Sequence, residues 1–113
     1  MPEPRKIALC TTAELAEMAD SLKALHPPPK GYTVTVARVP YAQIEAWGAT
    51  SKKGRRFLIE IAREQTKREV ELVLLHEMAH VHVWAQPHSV RTDHDAHWGV
   101  AFAAIYRRYM GCT

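Results

Sequence analysis

Cysteine, long apolar runs and glycine are all scarce in this sequence, and each shortage removes a class of protein. Cys10 and Cys112 are its two cysteines and stand near opposite ends of 113 residues. That spacing makes neither a disulfide framework nor a Cys-x-x-Cys metal knuckle, so both are expected as free thiols. No stretch approaches the roughly 20 apolar residues of a membrane span, and the start MPEPRKIALC carries no apolar signal core. A soluble, cytoplasmic protein with no membrane partner is expected. Charge of one sign is also scarce: the net charge is +3, which permits a nucleic-acid partner without demanding one.

What is present suffices for a packed core. Hydrophobic residues make up 47% of the chain, enough for one domain over residues 1–113. Thr11 and Glu14 have capping-box spacing, and Leu15, Met18, Leu22 and Leu25 predict a helix behind them. Pro27, Pro28 and Pro29 stop it, because proline lacks the N–H that a helix needs. Alternation of Val34 and Val36 with Thr33, Thr35 and Ala37 predicts a strand over 32–39, closed by Pro40. Two more extended runs, 43–50 and 56–63, flank the polar turn Ser51-Lys52-Lys53-Gly54 and predict a hairpin. Lys52, Lys53, Arg55 and Arg56 read as its solvated tip.

The most informative segment is 66–84. Thr66 and Glu69 repeat the capping-box spacing, and no glycine or proline follows before Trp84. This helix is apolar nearly all round, with Val70, Leu72, Val73, Leu74, Leu75, Met78, Val81 and Val83, and so belongs inside the protein. Yet it carries His76, Glu77, His80 and His82, and buried polar groups are costly without partners. At about 100° per residue His76 and His80 share one face, where two imidazoles can chelate one ion. Glu77 lies beside them, placed to reach water rather than metal. His82 points elsewhere and is expected to bond backbone or solvent.

Catalytic zinc takes three protein ligands and keeps a fourth position open. No glutamate follows Glu77, which excludes the class with a downstream glutamate ligand. Val83 and Gln86 stand where the elongated His-Glu-x-x-His-x-x-Gly-x-x-His pattern needs Gly and His. Downstream remain His88, Asp93, His94, Asp95 and His97. Residues 93–110 predict a last helix with the stripe Trp98, Ala101, Phe102, Ile105 and Tyr109. His94 continues that stripe inward one turn before Trp98 and is the expected third ligand; His97 stays open as the alternative. His88, after Pro87, is expected in an exposed loop. The elements together predict an α+β domain, about three helices on a small, three-stranded, mainly antiparallel sheet.

The runs Leu74-Leu75-His76-Glu77-Met78-Ala79-His80, His94-Asp95-Ala96-His97-Trp98-Gly99 and Ala104-Ile105-Tyr106-Arg107 resemble the SprT-like zincin metallopeptidases. Ala46-Trp47-Gly48 and the strand Phe57-Leu58-Ile59-Glu60-Ile61 extend the resemblance to residues 44–110. It implies a minimal zincin-like domain, a zinc cofactor, and a His-Gly-x-x-aromatic element whose first histidine, here His94, completes the site. Asp95 stands where glycine is usual, and the cysteine-rich zinc ribbon of some members is missing, which withdraws the nucleic-acid role of those relatives.

The expected function is therefore peptide-bond hydrolysis of a protein or peptide substrate by zinc-activated water, with Glu77 as general base. Asp93 or Asp95 could orient a ligand imidazole, although helix capping is the simpler role for both. Tyr106 and Tyr109 are chemically able to stabilise an oxyanion, and Tyr109 on its core stripe is more simply a packing residue. The strand over 56–63 is a hypothetical rail for extended substrate. Two other classes keep the same residues: a zinc hydrolase of a non-peptide substrate, and a non-enzymatic, zinc-stabilised module that binds nucleic acid or protein.

Overall fold

The computed structural model describes residues 8–84 and 96–110. Among them the element order is α1 (Thr12–Leu25), β1 (Thr33–Val39), α2 (Tyr41–Ile44), β2 (Gly48–Lys53), β3 (Arg56–Ala62), α3 (Lys67–Trp84) and α4 (Ala96–Met110). The architecture is α+β, with three long helices, one short one and a three-stranded sheet.

Local chemistry sets the helix starts. At α1 the Thr11 amide donates to Glu14 Oε1 at 3.0 Å, and the Glu14 amide donates to Thr11 Oγ1 at 3.1 Å. The same exchange opens α3, between Thr66 and Glu69, at 2.9 and 3.3 Å. Each box satisfies two backbone groups that the first turn would otherwise leave without partners. α1 buries Leu15, Met18, Ala19 and Leu22. Leu25, expected on that stripe, is 51% exposed, because the helix ends there and His26 caps it by donating to the Leu22 carbonyl at 2.8 Å.

The sheet corrects four expectations. It is mixed rather than mainly antiparallel: β3 lies at the centre, antiparallel to β2 and parallel to β1. The reason is burial, since Phe57, Ile59 and Ile61 of β3 are almost fully enclosed while β2 ends in exposed residues, and the most apolar strand takes the position with two neighbours. A central strand has no edge to offer, so residues 56–63 cannot be the substrate rail. The run 43–50 is not one strand either. Its first part is α2, anchored where the Tyr41 amide donates to Glu64 Oε2 at 2.8 Å, and it ends at Glu45, whose φ is 51°. The hairpin turn is shorter than expected, since Lys53 pairs with Arg56. Gly54 (φ 62°) takes the first of the two turn positions, where a II′ turn calls for glycine.

α3 packs against β2, β3, α1 and α4, and Leu74, Leu75, Met78, Ala79 and Val81 are almost wholly enclosed. Leu72 is the exception at 40% exposure. From α4, Ile105 is fully buried and Trp98, Ala101, Phe102 and Tyr109 pack onto the same core, as the stripe required. Cys10 is a buried free thiol whose pKa is raised, chiefly by burial. Cys112 lies outside the described residues. No helix among those described is long and apolar enough to cross a membrane.

Candidate metal centre

The spacing of four on α3 brings the two imidazoles together. His76 Nε2 and His80 Nε2 are 3.2 Å apart, with ring centroids 4.9 Å apart. Two nitrogens at about 2.0–2.1 Å from one tetrahedral zinc ion stand roughly 3.3 Å from each other. The pair therefore has the separation that one shared ion requires. Both rings are partly accessible, so the helix that is otherwise core opens to solvent on this face.

Glu77 is different. The residue is 6% exposed, and a buried carboxylate needs donors. Thr50 on β2 supplies one: its hydroxyl donates to Glu77 Oε1 at 2.7 Å and lies 3.4 Å from the Glu77 backbone oxygen. The other carboxylate oxygen, Oε2, is 3.8 Å from His76 Nε2. One oxygen is thus held by the sheet while the other faces the imidazole pair.

The sheet reaches this point through Trp47 and Gly48. The Trp47 carbonyl accepts from the Ala62 amide at 3.0 Å and from the buried Gln65 side chain at 2.9 Å, which fixes where β2 begins. Gly48 follows directly against α3: a Cβ there would overlap Cγ1 of Val73 and stand 3.2 Å from Glu77 Oε2. A cavity of about 500 Å³ opens beside the carboxylate. His76 and Glu77 form its polar side, and Trp47, Gly48, Leu72, Val73 and Phe102 form the rest.

α4 closes the other flank. The Trp98 indole N–H donates to the His76 carbonyl at 3.4 Å, and its ring lies 5.0 Å from His76 and 5.7 Å from His80, centroid to centroid. Phe102 stacks on Trp98 at 5.1 Å. This wall restricts how the imidazoles can rotate. His94, four residues before Trp98, lies outside the described residues, as do His88, Asp93, Asp95 and the side chain of His97. Among the described residues no three metal-ligating side chains cluster.

Other expected residues fall elsewhere. His82 meets His26, the residue that caps α1, with ring centroids 4.3 Å apart. Tyr109 packs on the core, and its pKa is raised by burial first and then by the negative charges of Glu71 and Glu17. Tyr106 lies beyond Phe102, 6.0 Å ring to ring. Reading the sequence missed Thr50 altogether, and Trp98 entered as an apolar stripe residue and as the aromatic of the resemblance, not as a neighbour of both histidines. Nothing in a run of alternating residues tells which strand will lie against a given helix, so Thr50 left no signal; Gly48 entered only through the Ala46-Trp47-Gly48 resemblance.

Comparison with models of known families, with curated proteins and with solved structures finds no match.

Proposed function

We propose that this chain is a zinc-dependent metallopeptidase of the SprT-like zincin type, with His76, His80 and His94 as metal ligands and Glu77 as general base. The observation that carries the reading is the 3.2 Å approach of two imidazole nitrogens beside a buried carboxylate whose second oxygen faces them. His94 is proposed from the sequence pattern, four residues before Trp98, whose ring lies beside both histidines.

Zinc held there supplies Lewis acidity, which polarises a substrate carbonyl and brings the pKa of water toward about 7. The rest is done by the chain. Glu77 takes the proton from the attacking water at Oε2 and returns it to the leaving amine, a step for which it needs one oxygen turned toward the site. Trp98 and Phe102 limit ring rotation on one flank. The substrate runs along β2, which among the described residues pairs only with β3 and so has an edge for an added strand. That edge passes directly beside Glu77, whereas the strand over 56–63 has none.

Glu77→Gln tests the assignment, because it keeps the shape and removes the base. Hydrolysis of an unfolded protein is expected to fall by about 10²–10⁴-fold, with one zinc per chain retained in metal analysis. Activity that survives this change removes Glu77 from the mechanism. A protein purified without bound zinc, and unable to take it up, reduces the 3.2 Å contact to a hydrogen bond between two rings.

A further inference from the structure

We infer that Thr50 is a positioning residue of this site, whose hydroxyl holds Glu77 Oε1 so that Oε2 is the oxygen that exchanges protons, with Gly48 letting α3 lie close enough to β2 for that contact. The inference rests on the metallopeptidase reading and adds to it a division of labour between the two carboxylate oxygens.

Three observations carry it. First, the 2.7 Å distance from Thr50 Oγ1 to Oε1 is that of a well-formed hydroxyl hydrogen bond. The terminal torsion of a glutamate is otherwise broad, so one firm donor fixes the plane of the carboxylate. Second, Thr50 is itself held. It pairs with Ile59 of β3, and its β-branched side chain has few χ1 choices. Third, Gly48 and Thr50 are two apart on β2 and therefore point to the same face, toward α3. At position 48 any side chain would stand 3.2 Å or less from Oε2. One residue of the strand secures one oxygen, and the bare position at 48 lets α3 lie close enough for that contact to form.

Removing the hydroxyl takes away the donor at Oε1, and a base that is less firmly aimed loses rate more than substrate affinity. For Thr50→Val, which keeps the shape and deletes the hydroxyl, kcat is expected to drop by about 10–100-fold, the range for groups that orient active-site residues, with KM within about twofold and zinc content equal to wild type. Thr50→Ser, which restores the donor, is expected to return kcat to within about threefold of wild type. A second readout is independent of turnover and of bound metal. Infrared difference spectra of the metal-free protein with ¹³C-labelled glutamate, taken against Glu77→Gln to isolate this carboxylate, should show its stretching bands shifted in Thr50→Val and restored in Thr50→Ser. If Thr50→Val does not accumulate as folded protein, Thr50→Ala serves in both measurements.

A hydroxyl-free variant with wild-type kcat overturns the proposal, and so does one whose carboxylate bands superimpose on wild type. In either case an inactive Glu77→Gln leaves the metallopeptidase reading standing. An active Glu77→Gln instead removes that reading and this one with it.

Discussion

Gly48 carries only a hydrogen because α3 leaves no room for more. An added Cβ would overlap Val73 and crowd Glu77, and the strand itself is tied at Trp47 to Ala62 and Gln65. Gly48→Ala is therefore expected to destabilise the protein by about 1–3 kcal/mol, the usual effect of overpacking. Urea denaturation checks this: the midpoint should fall with little change in slope, and an unchanged midpoint would mean that the strand moves away without strain. At this scale the sequence was legible where one element alone sets the geometry. His76 and His80 share a face because four residues make about one turn, and Glu77 stands beside them for the same reason. Thr50 was not legible, because its role exists only across the gap between a strand and a helix that lies 27 residues away in the chain.

Elements whose ends are written in local hydrogen bonds were the easiest to foresee. Both Thr-x-x-Glu boxes form as expected, and each glutamate has its pKa lowered, first by the backbone hydrogen bond it accepts from its threonine. Glu64 is lowered in the same sense, chiefly by the Tyr41 amide. A carboxylate depressed in the folded state stabilises it above the ordinary value of 4.5, and that contribution is lost as pH falls through the lower folded value. All three groups are exposed, so each effect is small and screened. The urea midpoint should decline as pH is taken from about 5 to about 3, and less steeply in the Glu14→Gln, Glu69→Gln double variant. Parallel pH curves for the two proteins would show that the boxes do not couple to acid unfolding. α2 was missed for a related reason. Pro40, the left-handed Glu45 and the bond to Glu64 stop the chain from staying extended, and the last of these is a contact 23 residues distant in sequence.

Across the whole molecule, α3 is the element to which the sheet, α1 and α4 all attach. A metal ion joining His76 and His80 to the segment before α4 would tie the chain's last helix to its central one, and an ion that binds only the folded state stabilises it. Zinc at about 100 times its dissociation constant contributes about 2.7 kcal/mol, an upward Tm shift on the order of 10 °C for a chain of this size. The shift should vanish in His94→Ala and persist in His97→Ala; the reverse pattern makes His97 the ligand. The sequence by itself determined what depends on neighbours within about one helical turn: the capped starts of α1 and α3, the imidazole pair with its adjacent acid, and the buried stripe of α4. Only the tertiary structure decided that β3 is central and parallel to β1, that β2 holds the edge beside Glu77, and that Thr50 and Trp98 flank the site. Those choices depend on which apolar surfaces exclude water together, a competition among distant segments that no local periodicity records.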